Sequence, residues 1–212
     1  MSSTVGRYAP SPSGRMHLGN LCCCLLAWLS AKSSGGKVVL RIEDLDAVRC
    51  PREFADLLEA DLAWLGLAAD EGGSKGGPRG PYYQSERSAI YEDFYLRRAD
   101  GVFAYQLAVV VDDALMGVTQ VVRGADLLSS TPRQLWLYRE LGLPAPEFYH
   151  MPLLLAVDGR RLSKRDGDES LEHLQARYTP EQIIGRLAYA CGLQNAPDPR
   201  TPAELADGFS WQ

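Results

Sequence analysis

His17 and Asn20 stand three residues apart, just after a turn-forming stretch, Ala9-Pro10-Ser11-Pro12-Ser13-Gly14. Val5 to Ala9 is short enough to be one extended strand; Pro10, Pro12 and Gly14 then interrupt regular structure, and an apolar run begins at Met16. Strand, turn, helix is the order this predicts. A helix opening beneath such a turn presents unpaired backbone N–H groups and the positive end of its dipole, which suits a phosphate. At a spacing of three, both polar side chains face the same ligand. The same residues also describe a capped helix with a surface histidine, and this stretch alone leaves both readings open.

Two further groups carry charge in useful places. Glu43, Asp44 and Asp46 follow the run Val38-Val39-Leu40-Arg41-Ile42, which reads as a buried strand, so they lie at the carboxyl end where open α/β sheets bind ligands. They suit a metal, a helix cap or an ammonium group; the helix starting near Pro51 assigns at least one of them to capping. Arg160, Arg161, Lys164 and Arg165 form a basic patch after the turn at Asp158-Gly159. With a net charge of −5 and a pI near 5.3, no global field attracts nucleic acid, and any such contact must come from local patches like this one. Cys22, Cys23, Cys24, Cys50 and Cys191 lack zinc-site spacing and read as small core residues of a reducing compartment. Leu21 to Leu29 is too short to span a bilayer and no charged leader precedes it, so the expectation is a cytoplasmic protein without a membrane partner.

The elements that must position these groups follow from periodicity. The first helix ends at Ser33-Ser34-Gly35-Gly36 and returns to the second strand, the opening of a parallel α/β sheet. A second helix from Pro51 to Gly66 presents Phe54, Leu57, Leu58, Leu62 and Leu65 on one side and acids on the other. Glu71 to Pro81 reads as a flexible glycine-rich loop, and Ser85 as the cap of a third helix. Val102 to Asp113 is ambiguous, its valines favouring strand. Gly117 to Arg123 and Phe148 to Leu155 read as strands, Thr131 to Gly142 as a helix, and the chain from Ser170 as helical, broken by Pro197, Pro199 and Pro202. Taken singly, Arg123 could pair with Asp126, Tyr105 could be a core aromatic, and residues 161–165 a solvated basic loop.

Taken together, APSPSGRMHLGN (Ala9 to Asn20), RIEDLD (Arg41 to Asp46) and RLSKR (Arg161 to Arg165) resemble the HIGH motif, amino-acid pocket strand and KMSKS loop of the glutamate-specific class I aminoacyl-tRNA synthetases. FAYQLAVVVDD, VVRGADLL and FYHMPLLL fill the intervals in family order. The resemblance implies an α/β fold: a Rossmann-like parallel sheet with helices on both faces over 1–168 and a small helical appendage over 169–212. It implies activation of glutamate by ATP, with Mg²⁺ accompanying the nucleotide, and transfer to a tRNA. Catalytic roles fall on His17, Asn20 and Lys164. ATP contacts fall on Ser13, His17, Gly19, Asn20, Asp126, Leu162 and Lys164. Glutamate contacts fall on Arg7, Ser11, Glu43, Tyr105 and Arg123, with Glu43 on the ammonium group and Arg123 on the side-chain carboxylate.

The chain stops about fifty residues after Lys164, with no room for a large anticodon-binding domain. That length resembles the short glutamyl-queuosine tRNA(Asp) synthetases, which implies tRNA(Asp) as the acceptor, another tRNA being the alternative, and a monomer. One departure stands out. Members of both groups insert a connective, acceptor-binding region before the FAY segment, in the short group usually with a cysteine zinc site; here Glu92-Asp93 joins the parts almost directly. Zinc is therefore not expected. A natural minimal enzyme, a truncated or engineered catalytic core, a non-catalytic glutamate or ATP binder, and an adenylate-forming enzyme with a non-RNA acceptor all remain compatible with the sequence.

Overall fold

Strand β1 (Val5–Tyr8) has no exposed position and lies where a three-stranded sheet meets a two-stranded one. The computed structural model that reveals this describes residues 3–93, 105–154 and 170–211. On one side β1 pairs in parallel with β2 (Lys37–Leu40), and β2 with the short β3 (Glu71–Gly72). On the other side Thr119 completes the join. Its N–H donates to the Val5 carbonyl at 2.9 Å and its hydroxyl accepts from the Val5 N–H at 2.8 Å. Thr119 leads into β4 (Gln120–Gly124), which pairs in parallel with β5 (Glu147–Met151). The spatial order β3-β2-β1-β4-β5 is that of a doubly wound sheet, with its switch point between β1 and β4.

Helix α1 (Leu18–Ser33) is apolar nearly all round, and Leu21, Cys22, Leu25 and Leu29 are fully buried. Such a helix needs cover on every side. The sheet supplies one side, and the chain from Ser170 onward supplies another through Leu171, Leu174, Ile183, Ile184 and Leu187 in the same apolar core. Removing one such leucine, Leu25→Ala for instance, costs roughly 2–5 kcal/mol. Helices α7 (Pro180–Ala190) and α8 (Pro202–Ala206) each open on a capping box, Thr179 with Gln182 and Thr201 with Glu204. Trp211 returns the chain end to the sheet: its indole N–H donates to Ser30 Oγ at 2.7 Å and its ring stacks on Tyr149 at 4.4 Å.

Several local expectations need correction. Tyr105 to Leu115 is a helix, α4, although its valines favour strand. Ala108 to Asp113 are all buried, so the apolar run reflects burial on several faces and carries no period to read. Glu71 to Pro81 is ordered: Glu71 is buried and accepts from Lys37 Nζ and from the Tyr82 hydroxyl at 2.6 Å. Gly72 fits there because a Cβ would sit 2.0 Å from the Leu40 carbonyl oxygen. None of the three acids caps α2 (Arg52–Trp64), whose N-cap is Pro51. Asp44 instead accepts from the N–H (2.9 Å) and hydroxyl (2.7 Å) of Ser85, which sits in a 3-10 turn ahead of α3 (Ser88–Asp93) and does not cap it. On α2, Leu57 is exposed while Asp61 is buried, held by Arg15 at 2.7 Å. That pair ties the turn before α1 to α2. No helix among the described residues is long and apolar enough to cross a membrane.

Candidate active site

At the switch point, a cavity of about 200 Å³ opens beyond the carboxyl ends of β1 and β4 and under the start of α1. Arg7, His17, Gly19, Asn20, Glu43, Tyr105, Arg123 and Asp126 all line it, so eight of the residues singled out in the sequence converge on one place. Ser11 and Ser13 do not; they lie exposed on the outer turn. Leu162 and Lys164 fall outside the described residues. The two flanks of their segment are nevertheless at the cavity: Leu154 lines it, and Ser170 forms a β-bridge with His17 while the Leu171 N–H donates to the Met16 carbonyl at 3.1 Å.

The start of α1 forms one end of the cavity. His17 is the N-cap, with extended backbone, and its Nδ1 accepts from the Gly19 N–H at 3.1 Å. An Nδ1 that accepts puts the ring proton on Nε2. No acid occupies the first turn of α1, so the dipole there is not opposed. Gly19 has a local reason of its own: a Cβ would meet the His17 ring at 3.0 Å.

The opposite wall is a buried ion network. Arg41, fully buried, donates to Glu43 Oε1 at 3.0 Å and to Asp113 Oδ1. Arg7 Nε stands 3.4 Å from the same Asp113 oxygen. Asp112 takes Arg87 Nε at 2.6 Å, Gln84 Nε2 at 2.8 Å and the Tyr91 hydroxyl at 2.8 Å. Burial pushes the Glu43 carboxyl up, and the neighbouring Arg41 and Arg7 pull against it. The charge of Glu43, then burial, push the Tyr105 phenol up to about 12.

Arg123 differs from the other three buried arginines. Only 4% exposed, it has no carboxylate in ion-pair range among the described residues. Its partners are neutral: His150 Nε2 at 3.1 Å, Gln134 Oε1 at 2.7 Å and Thr131 Oγ1 at 2.6 Å, with the Phe148 ring 4.6 Å from Cζ. The pairing with Asp126 that the sequence allowed does not occur in these contacts. Burial, followed by the charge of Arg7, lowers the hold of Arg123 on its proton. Two cations facing one cavity, with one of them not neutralised, make a receptor for a carboxylate.

Arg41, Asp112, Asp113, Thr131, Gln134 and His150 have no role assigned from sequence. For His150 a signal existed, since pairing the two predicted strands sets it beside Arg123. The aspartates end an apolar run, and their partners lie far upstream.

The catalytic-domain family of class I tRNA synthetases (E and Q) matches residues 3–97 and 90–195. The chain belongs to this family. The synthetase is 40% identical over 295 aligned positions to a glutamyl-Q tRNA(Asp) synthetase of Symbiobacterium thermophilum, covering 96% of this chain and 91% of the relative. It is 36% identical over 273 positions to glutamate–tRNA ligase 2 of Alkalilimnicola ehrlichii, covering 86% of this chain and 57% of that one. Its fold superposes on a glutamate-tRNA synthetase of Elizabethkingia anophelis with a TM-score of 0.86 at 23% identity, across 99% of this chain and 66% of that structure. An alignment of 295 positions against 212 residues leaves more than eighty positions facing no residue of this synthetase. The two pieces of the family match meet at residues 90–97, where α3 leads towards α4. Among the described residues, no three His, Cys, Asp or Glu side chains converge on a metal position.

Proposed function

We propose that this synthetase joins glutamate to ATP to form glutamyl-adenylate and passes the glutamyl group to a tRNA, with queuosine of tRNA(Asp) as the acceptor. The observation that carries the amino-acid assignment is the buried, carboxylate-free Arg123 opposite Glu43 in a cavity that also contains Arg7. Glutamate has one cation and two anions. Glu43 takes the ammonium group, Arg123 the side-chain carboxylate as a two-pronged donor, and Arg7 with Tyr105 the α-carboxylate. Glutamine would turn an amide NH₂ toward Arg123 donors and be rejected.

For the first step, an α-carboxylate oxygen attacks the α-phosphorus of ATP, the bond to the β-phosphate oxygen breaks, and pyrophosphate leaves. His17, Gly19 and Asn20 hold the nucleotide at the start of α1, with Asp126 and Leu162 as further contacts and Mg²⁺ on the phosphates. Lys164 stabilises the departing charge; the position of both flanks of its segment at the cavity supports this role. In the second step an acceptor hydroxyl attacks the carbonyl carbon and AMP leaves. Residues 1–168 serve as the catalytic domain and 169–212 as a helical, stem-contact-like part of a cytoplasmic monomer.

The deciding experiment is glutamate-dependent exchange of labelled pyrophosphate into ATP without tRNA. Exchange above background is expected; none, from folded protein with Mg²⁺, refutes activation. Labelled glutamate offered to queuosine-modified and unmodified tRNA(Asp) tests the acceptor, with labelling of the modified form alone expected. The shortened α3–α4 connection favours a second reading of this step only: exchange without labelling of either tRNA points to a different acceptor.

A further inference from the structure

We propose that His150 is a positioning residue for glutamate selection, fixing the plane of the Arg123 guanidinium so that one N–H on each terminal nitrogen is left for the substrate's side-chain carboxylate. The inference rests on the glutamate reading above and deepens it.

The β4–β5 register makes Arg123 and His150 direct partners, so their side chains stand on the same face of the sheet. A guanidinium has five N–H groups. Nε–H goes to His150, one on Nη1 to Gln134 and one on Nη2 to Thr131. One remains on each terminal nitrogen, the number a carboxylate accepts in a two-pronged contact. Because the Arg123 Nε–H donates to His150 Nε2, that nitrogen carries no proton, and the Thr131 hydroxyl 2.9 Å away directs its own proton to it. Both donors share the single lone pair of His150 Nε2, which requires a neutral ring protonated on Nδ1. Gln134 is held in turn: its Nε2 donates to Gln106 Oε1 at 2.7 Å, and Gln106 donates to Ser130 at 3.0 Å, turning the Gln134 oxygen toward Arg123.

Every member of this clamp is uncharged. An acid in the place of His150 would grip Arg123 more strongly but neutralise it and compete with the substrate. A neutral acceptor orients the cation and leaves its charge for glutamate.

The arrangement makes selection sensitive to acid. Arg123 is the charged group acting directly on His150; Arg7 on β1, Tyr105 and Asp113 on α4, and Tyr138 on α5 (Thr131–Glu140) act on Arg123, and Glu43 lines the same cavity. Burial and then the Arg123 charge keep the imidazole below its ordinary 6.5. Protonation removes the Nε2 lone pair and sets a second cation 3.1 Å from the first. The KM for glutamate therefore rises as pH falls through that lowered value, and the KM for ATP does not.

The test compares wild type, His150→Phe and His150→Gln in pyrophosphate exchange, with glutamate titrated by calorimetry. His150→Phe should raise the KM for glutamate about 10-fold or more and lower the preference for glutamate over glutamine by a similar factor, leaving kcat and the KM for ATP within twofold. His150→Gln, which keeps an acceptor but cannot titrate, should recover most of the affinity and show a smaller acid rise. Glu43 adds an acid limb to both proteins, so the difference between profiles is the readout. Wild-type values for His150→Phe, equal rises in both KM values, or superimposable pH profiles for wild type and His150→Gln overturn the proposal. If His150→Phe does not fold, the His150→Gln profile alone decides. Glutamate binding without exchange in wild type refutes the adenylate chemistry while the binding ratios still judge His150; no glutamate binding at all overturns both.

Discussion

Arg41 and Glu43, two residues apart at the end of β2, hydrogen-bond to each other at 3.0 Å with both side chains out of water. The arginine also reaches Asp113, so Glu43 is held by a group that is itself anchored and keeps its place beside the cavity.

Glu43→Gln separates charge from shape. The amide oxygen still accepts from Arg41, but the ammonium partner is gone. Losing one side of a desolvated charge pair costs on the order of 2–5 kcal/mol in binding, a rise in glutamate KM of about 30-fold or more. Burial already raises the Glu43 carboxyl, so its ionised form adds no stability at neutral pH, and the melting temperature should change by only a few degrees. A large fall in melting temperature with unchanged KM would make Glu43 a structural residue. Calorimetric melts and exchange kinetics on one preparation distinguish these.

Asp112→Ala should act the other way. It strips Arg87, Gln84 and Tyr91 of a shared, fully buried acceptor and leaves Arg41 with less compensation. Breaking such a pair costs about 3–5 kcal/mol, a loss of about 10 °C for a chain of this size. A melt within 2 °C of wild type would contradict the description of the network.

Lys164→Ala tests the segment whose flanks meet at the cavity. Removing a charge that acts on the departing pyrophosphate should slow exchange by about 10² or more while glutamate affinity measured by calorimetry stays within twofold. Equal losses in rate and affinity would remove Lys164 from the transition state.

Acid stability has a marker far from the site. Burial pushes the Asp70 carboxyl up, but hydrogen bonds from Lys32 and the Val38 N–H outweigh it and the net result is a lowered value. A carboxyl lowered in the folded state contributes stability above its unfolded value and loses it as pH falls through the folded one. Wild type should therefore weaken below about pH 4, and Asp70→Asn should flatten that part of the curve in urea titrations. Parallel acid limbs would assign the loss to other groups.

Much of the site is legible in the sequence because its residues sit where strands end and a helix begins. Pro10 and Gly14 mark the turn and β-branched residues mark β2, and the residues beside these marks, His17, Asn20 and Glu43, line one cavity with Arg123. What stays hidden is what depends on packing between distant segments. Tyr105 to Leu115 is buried on too many sides to show a helical period, so its valines mislead. Glu71 is anchored by Lys37 and Tyr82, neither visible in a glycine-rich stretch. Thr131, Gln134 and His150 are ordinary residue types whose importance comes from the β4–β5 register and the seating of α5.

The buried network also sets a net charge for the cavity. Among these buried groups, Arg7, Arg41 and Arg87 are matched by Glu43, Asp112 and Asp113, which leaves Arg123 as a surplus of one, while Asp126 lines the cavity from an exposed position. On the proposed assignment, glutamate, with one positive and two negative groups, carries a net charge of minus one that offsets this buried surplus. Glutamine is net neutral and would leave the buried Arg123 charge without a counter-charge, a penalty independent of any hydrogen-bond geometry. On that assignment the amino acid is counted as well as recognised.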